Sequence, residues 1–182
     1  MIAVAVVSTA TVREFFGYSF ATWRLHLRGE TIRSAHDVGR IRALTVGRLM
    51  RRDVRTIRSD AKVSTVRRDF PLGSTQRVVV LDAAERYAGI ALIAEIHSLE
   101  LNGEADTRTI GEFLHYRGEV LEPSMNIKDA MRLFDRSESE ALAVVESVSS
   151  GKVIGLLTEA HALRRYAEEL DRVRRDLIGA GG

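Results

Sequence analysis

Five histidines, His26, His36, His97, His115 and His161, supply every imidazole of the 182-residue chain, and there is no cysteine. Disulfide scaffolds, thiolate zinc sites, iron–sulfur ligation and thiol catalysis are thereby excluded. The histidines share no metal-ligand spacing with one another or with carboxylates. There is no Gly-x-Ser-x-Gly elbow and no phosphate loop ending in Gly-Lys-Ser/Thr. Glu138 and Glu140 stand two apart with no partner acid, which suits a turn better than an acid/base pair. Nothing here argues for an enzyme. What remains is a pair of glycine-led segments, Gly89-Ile-Ala-Leu-Ile-Ala-Glu95 and Gly155-Leu-Leu-Thr-Glu-Ala-His161, each an apolar run ending in polar residues where a helix begins. Thr158 there reads as a helix N-cap. His161 reads as a partly exposed polar residue whose ordinary pKa near 6.5 lets it respond to pH.

The elements that must position these residues come from an internal repeat, which has to be sought before local structure. Thr45-Val46-Gly47-Arg48-Leu49-Met50 recurs as Thr109-Ile110-Gly111-Glu112-Phe113-Leu114, an offset of 64. At that offset Val63, Val66 and Phe70 meet Ile127, Ala130 and Phe134, and Val78–Asp82 meets Leu142–Glu146. After two extra residues in the second copy, Gly89-Ile90-Ala91 meets Gly155-Leu156-Leu157.

Each copy predicts a short helix, a strand, a helix, two strands and a closing helix. In the second copy these are a lead-in helix over 109–115, a strand over 119–121 stopped by Pro123, and a helix over 126–135 with Ser124 as N-cap. A hairpin of strands 141–146 and 152–157 follows, then a long helix from Glu159. On that helix Leu163, Tyr166, Leu170, Val173 and Leu177 mark the apolar face, and Glu168 with Arg172 and Asp171 with Arg175 are spaced for ion pairs. The first copy predicts strand 54–58, helix 62–70, strands 77–82 and 87–93, and helix 94–101. A unit of about 55 residues buries too little surface to stand comfortably alone, so the copies should pack sheet to sheet about a pseudo-twofold axis, leaving equivalent clefts. The fold class expected is α+β, with a leader over 1–44, repeat 1 over 45–103, and repeat 2 over 104–182 carrying the long C-terminal helix.

The formal charge of +2 hides an uneven distribution. Residues 13–58 hold eleven arginines against Glu14, Glu30, Asp37 and Asp53, a balance of +7 that leaves −5 for the remainder. A basic leader suggests an anionic neighbour, although a solvated arginine-rich linker explains it equally well. The apolar run 2–12 is too short for the ~20 residues that span a bilayer, and it lacks the preceding basic region of a signal peptide. It is either a buried N-terminal element or the stub of a membrane helix. The aromatics Phe15, Phe16, Tyr18, Phe20 and Trp23, followed by Arg24, Arg28, Arg33, Arg40 and Arg42, follow the order of a helix leaving a membrane on its cytoplasmic side; they also suit a helical face packed on the body.

The tandem units with glycine-led third strands resemble a pair of CBS domains, the module named after cystathionine β-synthase, over about residues 45–178. The leader, notably Phe16-Gly-Tyr-Ser-Phe-Ala-Thr-Trp23 and Arg28-Gly-Glu30, is similar to the membrane-exit segment of ClC-type chloride channels and transporters. The resemblance implies the regulatory cytoplasmic tail of such a membrane protein, expected to dimerise and unable to conduct alone. It also implies adenine-nucleotide binding (ATP, ADP or AMP) between the copies. In nucleotide-binding CBS units the third strand leads into Gly, two apolar residues, Ser or Thr, two more residues and Asp. The hydroxyl serves the phosphate at a helix start, and the carboxylate accepts from the ribose diol. This chain departs from that pattern in both copies. The second keeps Thr158, followed by Glu159, but has His161 for Asp, and a neutral His161 offers only one acceptor nitrogen. The first has Leu92 for the hydroxyl and Glu95 for Asp. The missing groups would cost ~1–3 kcal/mol against a diol.

Two other readings stand beside this one. A free-standing soluble sensor of adenosyl ligands would regulate a separate enzyme, with residues 1–44 an ordinary packed extension. A nucleic-acid binder would use Arg51, Arg52, Arg55 and Arg58; the acidic body and the lack of an aromatic platform near them speak against it.

Overall fold

The structure, a computed structural model, describes residues 44–100 and 107–179, all within one compact unit over residues 39–182. The leader expected over 1–44 lies, apart from Leu44, outside the described residues.

Repeat 1 runs through helix α1 (Val46–Leu49), strand β1 (Thr56–Arg58), helix α2 (Val63–Asp69), strands β2 (Arg77–Leu81) and β3 (Tyr87–Leu92) and helix α3 (Ile93–Ser98). Repeat 2 opens with a 3₁₀ turn, Ile110–Glu112, followed by β4 (Val120–Leu121), α4 (Ile127–Ser137), β5 (Ala141–Val145), β6 (Val153–Thr158) and α5 (Glu159–Gly179). The strands form two three-stranded sheets of identical design, ordered β1-β2-β3 and β4-β5-β6. In each the first strand pairs parallel to the second and the second antiparallel to the third. The α+β class and the doubled plan expected from the repeat are those observed.

Several local expectations are corrected. The helix expected over 109–115 is only a 3₁₀ turn, closed by a capping box between Thr109 and Glu112. Asn126, not Ser124, caps α4, because its side-chain oxygen accepts from the Asp129 N–H at 3.0 Å. On α5 the ion pairs fall at three-residue spacing, Arg165 with Glu168 and Glu169 with Arg172, while Arg175 donates to the backbone oxygen of Asp171. Both spacings bring side chains to one helix face, so the periodicity alone could not choose between them.

Burial follows from layering. Val63 and Val66 of α2, Val78 and Val80 of β2, Ala91, and Ile93 and Ile96 of α3 form one buried cluster. All five residues of β5 are buried. Helix α4 turns Ile127, Ala130, Met131, Leu133 and Phe134 inward, and β3 lies against β5 across the repeat boundary.

The approximate dyad is written in backbone hydrogen bonds. Thr45 bridges Asn126, and its equivalent 64 residues on, Thr109, bridges Lys62. Arg51 pairs with Leu156 as His115 pairs with Ile90, and Arg86 pairs with its own equivalent, Lys152. Each lead-in therefore crosses to the other repeat: the Ile110 N–H donates to Ala61 O at 2.8 Å, and the Val46 N–H to Met125 O at 2.9 Å. Ile110 is fully buried within the cluster of repeat 1.

Candidate functional site

The crossing lead-ins explain the glycines that begin the two signature segments. Strand β3 bulges at Ala88, beside Gly89, and β6 at Ile154, beside Gly155, at equivalent places. A Cβ on Gly89 would meet His115 O and Leu114 Cβ, both at 2.9 Å. One on Gly155 would meet Met50 Sδ at 2.7 Å and Arg51 O at 3.0 Å. Absence of a side chain lets the lead-in backbone lie on the strand, and this places residue 115 beside one helix start and residue 51 beside the other.

At the first helix start Leu92 ends β3 and precedes α3 without a side-chain cap. Glu95, in the first turn of α3, is half-buried, and its Oε2 lies 2.6 Å from His115 Nε2. A carboxylate only accepts, so the imidazole donates from Nε2. Arg117, two residues beyond, sends its guanidinium elsewhere, donating to Gly111 O at 2.7 Å.

At the second helix start Thr158 ends β6, and its Oγ1 accepts the His161 N–H at 3.3 Å, the N-cap role. Glu159 begins α5, its N–H bonded to Glu140 O at 2.9 Å. His161 Nδ1 lies 3.0 Å from Arg164 Nη2. A guanidinium only donates, so Nδ1 must be the unprotonated nitrogen, and the neutral ring carries its proton on Nε2. Partial burial, and then the charges of Arg164, Arg165 and Arg51, hold the His161 pKa below its ordinary value; Glu168 opposes them. The one acceptor nitrogen of a neutral His161 is thus engaged by Arg164.

The five residues singled out from the sequence thus fall into two groups, Leu92 with Glu95 and Thr158 with Glu159 and His161, one at each helix start. Sequence reasoning missed His115, Arg51, Arg164 and Arg165 as their companions. The repeat offset equates Arg51 with His115, and that register was the available signal. Among the described residues no group of three or more His, Cys, Asp or Glu could hold a metal ion, and no helix is long and apolar enough to cross a membrane.

Residues 118–168 match the CBS domain family model. No curated protein matches the sequence. Among solved structures the chain is similar to the CBS domain of a bacterial CNNM/CorC family Mg2+ transporter in complex with ATP, at 16% identity and TM-score 0.61, covering 72% of this chain and 93% of that one. It is also similar to CBSX2, a CBS-pair protein of Arabidopsis thaliana, at 22% identity and TM-score 0.58, covering 71% and 97%; CBSX2 is also known in complex with AMP. A third match is to the CBS domains of a transcriptional regulator from Streptococcus pneumoniae, at 17% identity and TM-score 0.54, covering 66% and 98%. The two repeats together have the fold of a CBS pair.

Proposed function

We propose that the chain is a non-catalytic regulatory CBS pair that binds an adenine nucleotide between its repeats and passes the state of that site to an attached or associated membrane transport protein. The observation that carries this reading is the approximate dyad, which brings each repeat's lead-in onto the other's third strand, so that each helix start is built from both halves. Occupancy of a site there acts on the contact between the halves, which is how binding energy becomes a shift in conformation. The ATP- and AMP-bound CBS structures of similar fold support the nucleotide part. The transporter among them supports a membrane partner. The chloride-channel or antiporter assignment, with the pair on the cytoplasmic side of the membrane, rests on the leader residues Phe16–Trp23 and Arg28–Glu30.

Thermal-shift titration with AMP, ADP and ATP tests the nucleotide part. A rise in Tm at sub-millimolar ligand is expected, and its absence for all three overturns it. Light scattering on the full chain is expected to give a dimer. The genomic sequence upstream of codon 1 separates the attached tail from the free-standing sensor of adenosyl ligands: an open frame running into membrane helices is expected, and an in-frame stop codon overturns the tail reading. The similarity to CBSX2, described as a CBS-pair protein, is the observation that favours the sensor.

A further inference from the structure

The approximate dyad puts the two lead-ins in the same backbone setting, and the sequence gives them opposite charge. Residues 48–60 hold Arg48, Arg51, Arg52, Arg55 and Arg58 against Asp53 and Asp60, a balance of +3. Their equivalents 64 residues on, 112–124, hold Arg117 against Glu112, Glu119 and Glu122, a balance of −2 with His115 neutral. The exchange is position for position: Arg48 stands where Glu112 does, Arg55 where Glu119 does, and Arg58 where Glu122 does.

The acids of the second lead-in serve the fold. Glu112 accepts the Thr109 N–H at 2.8 Å and pairs with Arg108. Glu119 accepts the Gly118 N–H at 3.2 Å, and Glu122 accepts the Val148 N–H at 2.8 Å. Tyr116, the counterpart of Arg52, is half-buried, and its carbonyl accepts the Tyr87 hydroxyl at 2.6 Å. In the first lead-in only Arg58 has such a task among the four arginines 51–58, pairing with Asp60 at 3.0 Å. The side chains of Arg51, Arg52 and Arg55 are exposed and make no hydrogen bond or ion pair among the described residues. Three hydrated guanidiniums add little to stability, and their effect is on the field outside the chain.

The residues that precede them indicate what that field meets. Arg33, Arg40 and Arg42 lead into the same run, and Phe15, Phe16, Tyr18, Phe20 and Trp23 come before those. Aromatic residues followed by a polybasic run have the composition that favours an anionic bilayer, where rings settle at the head-group level and each cation is drawn to the charged lipids. A single-stranded nucleic acid is held by rings interleaved with the cations, and residues 48–60 contain no aromatic residue.

We propose that the first lead-in, through Arg51, Arg52 and Arg55, docks the CBS pair on an anionic phospholipid surface. The same surface repels Glu119 and Glu122 of the second lead-in, so one lead-in faces the lipid and the other does not. This docking does not depend on a nucleotide between the repeats.

Flotation of the full chain with phosphatidylcholine vesicles, with and without about 30 mol % phosphatidylserine, tests the inference. Binding to the anionic vesicles alone is expected at about 50 mM salt, falling steeply toward about 500 mM as the charges are screened. Arg52→Ala combined with Arg55→Ala is expected to weaken binding about fivefold per cation lost, or about twentyfold for the pair. Arg52→Lys combined with Arg55→Lys keeps the charge and is expected to keep the binding. Arg132→Ala combined with Arg136→Ala removes the same charge from exposed positions on α4 and is expected to bind as the parent does. Absence of binding by the parent, undiminished binding in the Arg52→Ala and Arg55→Ala protein, or an equal loss in the α4 control would overturn the inference. Each of those results leaves the nucleotide reading to its own titration. Duplex DNA bound more tightly than the anionic vesicles, with the same dependence on Arg52 and Arg55, would also overturn it and assign the surface to nucleic acid.

Discussion

His115 Nε2 and Glu95 Oε2 lie 2.6 Å apart, and they join the lead-in of the second repeat to the closing helix of the first. This bond reinforces the backbone pairing of His115 with Ile90, where each N–H donates to the other's carbonyl at 2.9 Å. Both side chains are about two-fifths exposed, 38% and 41%, so solvent screens the interaction. A double-mutant cycle on His115→Ala and Glu95→Ala, read by urea denaturation, is expected to give a coupling of ~0.5–1 kcal/mol. Additivity of the two single variants would show that the contact contributes nothing to the union of the repeats.

Gly89 is a position where the fold has no room for a side chain. Its φ of 155° lies where L residues rarely sit, and a Cβ would strike His115 O and Leu114 Cβ at 2.9 Å. Gly118 has open space around the equivalent Cβ position. Gly89→Ala is expected to lower unfolding free energy by ~2–3 kcal/mol or more, and Gly118→Ala to stay within ~0.5 kcal/mol of the parent. Equal midpoints in urea for the two variants would mean that the lead-in can lift off β3 at little cost.

The repeat made the strands legible because β-branched and aliphatic runs recur at one offset: β2, β3, β5 and β6 fall within a residue of their predicted ends. The short elements were less legible. The 3₁₀ turn Ile110–Glu112 has too few residues to show a period, and Asn126 and Ser124 both suit a cap by residue type. The exchange of lead-ins was not legible at all, because an offset states which residues are equivalent and not which ones touch. That is also why Leu92, Glu95, Thr158, Glu159 and His161 could be picked out, each lying in or beside a glycine-led run, whereas Arg51 and His115 could not. They come beside the helix starts only through antiparallel bridges to Leu156 and Ile90.

Thr158 gives α5 the cap that Leu92 cannot give α3. Replacing it by Val keeps the shape and removes the acceptor for the His161 N–H. Thr158→Val is therefore expected to cost ~1 kcal/mol of unfolding free energy, and Thr158→Ser to cost less. Urea midpoints compare the two; an undiminished midpoint in Thr158→Val would place the stability of that helix start in its packing instead.

His161 makes the fold sensitive to mild acid. In the unfolded chain its imidazole titrates near the ordinary value of 6.5; in the folded protein partial burial, and then Arg164, Arg165 and Arg51, disfavour the charged ring. Above that value both states are neutral, and Arg164 keeps its bond to Nδ1. As pH falls through 6.5 toward the depressed folded pKa, the unfolded chain takes up a proton that the folded one resists, so stability is lost across that window. Below the folded pKa both states are protonated and the loss is complete. Gln at this position does not titrate, so the Tm advantage of the parent over His161→Gln is expected to shrink between about pH 7.5 and about pH 5.5. Scanning calorimetry of the two proteins across that range reads the difference directly, and an advantage that stays constant with pH would show that the arginines around His161 do not act on its charge.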